Sequence, residues 1–170
     1  MVTAGLSGRV LAAGADPDLA VTPITRDGQV VVSFDLSDGF TSDVRDAIQS
    51  GLSTTFAYEV ELRRGAGLFD RTVASVTITA MVRFDNLTRR YQMSRAVDGR
   101  VEDARPTEDQ DAVRAWMTHF ERIAVSTSAP LEANGEYYVR VRAHTRPHNA
   151  WFFWPWGGTA FGQAKFTFLQ

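Results

Sequence analysis

Between Thr72 and Phe84 the side chains alternate. Val76, Ile78, Ala80, Val82 and Phe84 fall on one side, and Ser75, Thr77, Thr79 and Arg83 on the other. A period of two is the spacing of a strand with one face in a core and the other in water, and no helix can hold such a stripe on one side. The same period recurs along the chain. Val30, Val32, Phe34 and Leu36 alternate with Val31, Ser33 and Asp35, and Phe56, Tyr58, Val60 and Leu62 alternate with Ala57, Glu59, Glu61 and Arg63. Tyr137, Val139, Val141 and Ala143 alternate with Arg140, Arg142 and His144. Leu19, Val21 and Ile24 precede Asp27-Gly28, a pair suited to a tight hairpin turn, and Asp98-Gly99 is a second such pair. Asp85 to Thr88 turns the chain into a strand carrying Tyr91 and Met93, which makes a three-stranded meander, and Ala164, Phe166 and Phe168 close the chain as a last strand.

Two stretches break the period. From Leu36 to Gly51, Ser42 is placed to cap a short helix, Asp43 suits its first turn, Val44 and Ile48 lie four apart, and Gly51 ends it. Thr107 with Gln110 has capping-box spacing, and Val113, Trp116, Met117, Phe120 and Ile123 follow at helical intervals, so His119 is expected inside a second helix. About seven one-sided strands with two inserted helices predict an antiparallel β-sandwich; a partly open β-barrel is the alternative. Residues 18–170 form one domain in this scheme. Residues 1–17 are expected to be a flexible leader, because they lack a charged start and Arg9 interrupts their apolar stretch, unlike an intact signal peptide.

The 170 residues suffice for one core, without disulfide or metal. With 18 basic and 20 acidic residues the domain lacks the positive field of a nucleic-acid binder, and the absence of cysteine excludes thiol chemistry. No run of 18 apolar residues offers a spanning helix. His144 and His148 have metal-ligand spacing only on a helix, and Pro147 and the strand pattern break that geometry. There is no serine elbow of the Gly-x-Ser-x-Gly kind and no phosphate-binding glycine loop, and Asp35, Asp38, Asp43 and Asp46 miss the calcium-loop progression. No catalytic residue, metal or cofactor is expected.

Contact chemistry is better represented. Trp151, Phe152, Phe153, Trp154 and Trp156 place five rings in six positions, with Pro155 and Gly157-Gly158 forbidding a continuous helix. Five rings amount to about 750 Å² of apolar surface, more than a monomer ordinarily leaves in water. They either tuck over an open end of the sandwich or meet a partner or a bilayer interface. Arginines gather at Arg63-Arg64, Arg89-Arg90, Arg95, Arg140 and Arg142, mostly at outward strand positions, as a solvated face or as a surface for an anionic contact. The candidate contact residues are Trp151, Phe152, Trp154 and Trp156 with Arg89, Arg140 and Arg142.

The strings VSFDLSDGF, DAIQSGLSTTFAYEVELRR, VRFDNLTRRYQMS and YYVRVRA together resemble the bacterial family known as domain of unknown function 4390. Its recurrent aromatic, Asn, Leu-Thr-Arg and Tyr string falls here on Phe84, Asn86, Leu87, Thr88, Arg89 and Tyr91. The resemblance covers about residues 18–170 and carries no catalytic residues. It implies an exported protein of the cell envelope, periplasmic in location. The expected function is therefore a non-catalytic β-sandwich acting through contact with an envelope protein, with a peripheral membrane or lipid contact as a further expectation and nucleic acid excluded. A carrier holding an apolar or lipid-like ligand in a sheet cavity is the alternative.

Overall fold

Asp27 and Gly28 turn the chain with φ of 51° and 76°, and Asp98 and Gly99 do the same with 48° and 79°. Two successive left-handed residues match the twist of the strands they join, so each Asp-Gly pair makes a two-residue hairpin. The computed structural model describes residues 19–66, 69–147 and 159–168. In chain order these form β1 (Leu19–Arg26), β2 (Gln29–Leu36), α1 (Ser42–Gln49), β3 (Thr54–Ala66), β4 (Phe69–Asp85) and β5 (Arg90–Val97). There follow β6 (Arg100–Thr107), α2 (Gln110–Thr118), β7 (His119–Val125), β8 (Glu136–Pro147) and β9 (Thr159–Thr167).

All pairings are antiparallel. One sheet has the order β1-β2-β7 and the other β6-β5-β4-β3-β8-β9, and they do not close into a barrel. The expected β-sandwich is thus present, with the β3-β4-β5 meander inside the larger sheet. Val30, Val32, Phe34 and Leu36 of the small sheet face Phe56, Tyr58, Val60, Leu62, Ile78, Val82, Val139 and Val141 of the large one, all buried. Phe34, Tyr58 and Phe120 meet at the centre, with ring centroids 4.7 to 5.1 Å apart. Gly162 lets β9 approach β1 closely: a Cβ there would sit 2.5 Å from the carbonyl oxygen of Leu19.

Several boundaries differ from expectation. The N-cap of α1 is Thr41, whose hydroxyl accepts from the Val44 amide, and Ser42 is the first helical residue. Asp109 caps α2 in place of the Thr107 capping box; its carboxylate accepts from the Asp111 amide, while Gln110 donates sideways to the Tyr91 hydroxyl. α2 also stops at Thr118, so His119, Phe120 and Ile123 belong to β7. Phe120 still reaches the core because one buried position serves a strand as well as a helix; the helical spacing could not distinguish them. β6 and β7 are the two strands beyond the expected seven. β6, with sequence RVEDARPT, is exposed at nearly every position, and its edge carries Pro106 and charges of both signs, which discourage pairing with another chain.

Candidate functional site

The candidate residues fall in three places. Trp151, Phe152, Trp154 and Trp156 lie outside the described residues, as does His148. Their connection leaves the large sheet at Pro147, which is in register with Thr54 of β3.

Arg140 and Arg142 lie together on the outer face of β8, opposite Glu61 and Glu59 of β3. Arg140 donates from Nε to Glu61 Oε2 at 2.7 Å and from Nη2 to the same oxygen, and Arg142 donates to Glu59 at 3.2 Å. Arg63 extends the array: it pairs with Glu61 at 3.6 Å and Asp70 at 3.2 Å, and Asp70 accepts from the Tyr138 hydroxyl. Burial together with that bond to Asp70 pushes the Tyr138 phenol above its usual range. Glu61 is only 9% exposed although it stands on the outward face. The surrounding arginines shield it, so most of the positive charge expected here for an anionic partner is already neutralised by β3. The signal was present in the sequence: Glu59-Val60-Glu61 and Arg140-Val141-Arg142 have equal spacing and opposite sign, and antiparallel register superposes them.

Arg89 is elsewhere, at the tip of the β4–β5 hairpin. Asp85 organises this tip, accepting from the amides of Leu87 at 2.9 Å and Thr88 at 3.4 Å, and these bonds hold its carboxyl below the usual range. Its carbonyl accepts from Arg89 N at 2.8 Å, with Arg89 in the left-handed region at φ 59° and its guanidinium 5.9 Å from the Phe84 ring. The result is a fixed turn that holds Leu87 95% exposed. Beside it, Gly51 ends α1 at φ 87°, where a Cβ would come within 3.1 Å of the Asn86 amide, and Leu52 follows, 46% exposed. β4 passes Thr54 at Val82, so this tip and the connection that starts at Pro147 leave the same end of the sheet.

Arg95 departs from the outward placement expected for strand arginines. It faces Ala80 on the inner side of the large sheet. Its guanidinium lies 4.4 Å from the Trp116 ring and 4.3 Å from Phe120, and Arg105 covers Trp116 at 4.8 Å. α2 has no basic residue in its last turn and runs directly into β7, so its terminal carbonyls need donors. Arg95 supplies them to Trp116 O at 2.6 Å and His119 O at 2.8 Å, and Tyr58 donates to Met117 O at 2.6 Å. Burial pushes the Tyr58 phenol far up, so it stays a donor. This arrangement anchors the end of α2 to the large sheet.

His119, at the start of β7, lies between two carboxylates, with Nδ1 3.0 Å from Asp35 and Nε2 3.2 Å from Glu121. Hydrogen bonds to Glu121 and Asp35 raise its pKa. Among the described residues no three His, Asp or Glu side chains are grouped to hold a metal ion, and no helix is long and apolar enough to cross a membrane.

Residues 19–148 match the family described as Domain of unknown function (DUF4390). The chain belongs to that family. The match runs from β1 to just past β8, so the DUF4390 portion contains Arg89, Arg140 and Arg142 and ends before Trp151. No curated protein and no solved structure matches the chain.

Proposed function

We propose that this DUF4390 member is a non-catalytic domain of the cell envelope that works by protein–protein contact, and that it docks through the end of the sandwich formed by the β4–β5 tip and the close of α1. The observation that carries this reading is the display of Leu87: a turn locked by Asp85 holds an apolar side chain almost wholly in water, on a tip that also carries Arg89 and meets Gly51 at the end of α1. A preordered apolar tip loses little freedom on docking, which favours contact over solvent. The paired charges of Glu61 and Arg140 favour a supporting role for the outer face instead. Rings packed at 4.7 to 5.1 Å between the sheets favour contact over carriage of an apolar ligand there.

A photo-crosslinking residue at position 87, with position 101 on the exposed β6 edge as control, tests the reading in envelope preparations from cells that make the protein. Discrete adducts from position 87 are expected, competed away by excess free domain but not by the Leu87→Asp domain. Equal labelling from both positions overturns the docking end. Recovery of the chain in the cytoplasmic fraction overturns the envelope assignment separately.

A further inference from the structure

At the opposite end of the large sheet, Arg64 of β3 and Arg71 of β4 stand directly opposite each other in register. Arg64 is also in register with Tyr137, whose ring is buried, so this pair belongs to the inner side of the sheet where it projects past the small one. Like charges facing across an antiparallel pair repel unless neutralised. Glu132 neutralises one of them: Nη1 and Nη2 of Arg64 donate to its two carboxylate oxygens, each at 2.5 Å. Among the described residues no carboxylate pairs with Arg71. The group is one negative charge short.

These residues border a concavity of about 400 Å³, closed on the far side by Ser128 to Glu132. Val73, Pro130 and the buried Leu131 form the smaller, apolar part of a lining that is mostly polar. Tyr137 also lines it, and its hydroxyl oxygen accepts from the Glu132 amide at 3.0 Å, which leaves its proton free to donate. Arg71 and Tyr137 therefore offer donors without acceptors, over an apolar patch, in a hollow of small-ligand size.

From this we infer that the cleft between Arg64, Arg71 and the 128–132 segment binds a small amphiphilic carboxylate, its carboxylate on Arg71 and the Tyr137 hydroxyl and its apolar body along Val73 and Leu131. One missing charge selects a monoanion. A guanidinium takes a carboxylate through two parallel bonds, and a phosphate monoester dianion would leave surplus charge beside Glu132. The site lies at the other end of the sandwich from the proposed docking tip and stands independently of it.

Octanoate, titrated into isotopically labelled full-length protein and followed by backbone amide shifts, is the direct probe. Saturable shifts are expected at Arg71, Val73 and Ser128. Octanol and acetate should bind at least about ten-fold more weakly, since each lacks one half of the recognition, and octyl phosphate should also be weaker. Arg71→Gln, at an exposed position that leaves the core untouched, should weaken octanoate about ten-fold without lowering the melting temperature, since it removes one of two facing like charges. Octanol binding as tightly as octanoate, octanoate insensitive to Arg71→Gln, or no saturable shift at these amides would each overturn the inference. Tighter binding of octyl phosphate than of octanoate would overturn its charge argument.

Discussion

Where the small sheet covers it, the inner face of the large sheet uses arginine in a way opposite to the outer face. On the outer face Arg140 answers a carboxylate, Glu61, directly across the strand pair. On the inner face Arg95 has aromatic rings and the carbonyls at the end of α2 around its guanidinium; among the described residues no carboxylate is hydrogen-bonded to it, although Asp103 of β6 stands across from it in register. The difference follows from what each face offers. An outward position can recruit a charged partner at little desolvation cost, whereas an inward one would bury both ions, and burying a second charge often costs more than the attraction returns. Helix carbonyls and π-faces are partial charges already inside the core, so a guanidinium can satisfy itself on them.

The largest expected effect is at Arg95. Arg95→Met should destabilise the fold by about 3 kcal/mol in urea denaturation, because it orphans the half-buried carbonyl of Trp116 and removes two ring contacts. Arg95→Lys should recover less than half of this, since an ammonium cannot fork across carbonyls of the same helix end. Full recovery by lysine would mean that charge alone matters, and the contrast between the faces would fall. Next comes Glu61→Gln, which leaves Arg140 and Arg63 without their shared anion; about 2 kcal/mol is expected, and adding Arg140→Gln should restore part of it. Glu59 and Arg142 form the exposed end of the same array, with side chains 42% and 35% exposed. Arg142→Gln should cost only about 0.5 kcal/mol and nothing measurable at 1 M salt.

The smallest effect is at His119, where two carboxylates share one half-exposed imidazole. Its folded pKa is raised above the unfolded value of about 6.5. The stabilisation is therefore complete below that unfolded value and fades as pH rises through the higher folded one. After solvent screening it amounts to a few tenths of a kcal/mol. Imidazole titration by NMR should show the raised value, and Asp35→Asn should lower it.

Where a residue's surroundings follow from its own strand, the sequence was legible. Val30 to Leu36, Phe56 to Leu62 and Tyr137 to Ala143 declare their buried faces by alternation alone, and both Asp-Gly turns declare their hairpins. Legibility failed where a second element decides. Arg95 reads as outward until α2 is seen to need donors, and His119 to Ile123 reads as helix until β2 is seen to pair with it. β6 shows no alternation because neither of its faces is buried. Of the candidate contact residues, Arg89 lies at the exposed tip, while Arg140 and Arg142 are held by partners whose spacing was visible but whose register was not. The Arg64 and Arg71 cleft could not be read, because their opposition depends on the shift in pairing after Leu62.

The long gap between β3 and β8 sets a timetable for the newborn chain. Glu59 and Arg142 are 83 residues apart, and ribosomes add roughly 5–20 residues each second, so for several seconds β3 has an open side. During that wait Glu59 and Glu61 act as gatekeepers, keeping an otherwise sticky ribbon from joining its neighbours. The carboxylates that later bind β8 thus first guard its vacant place.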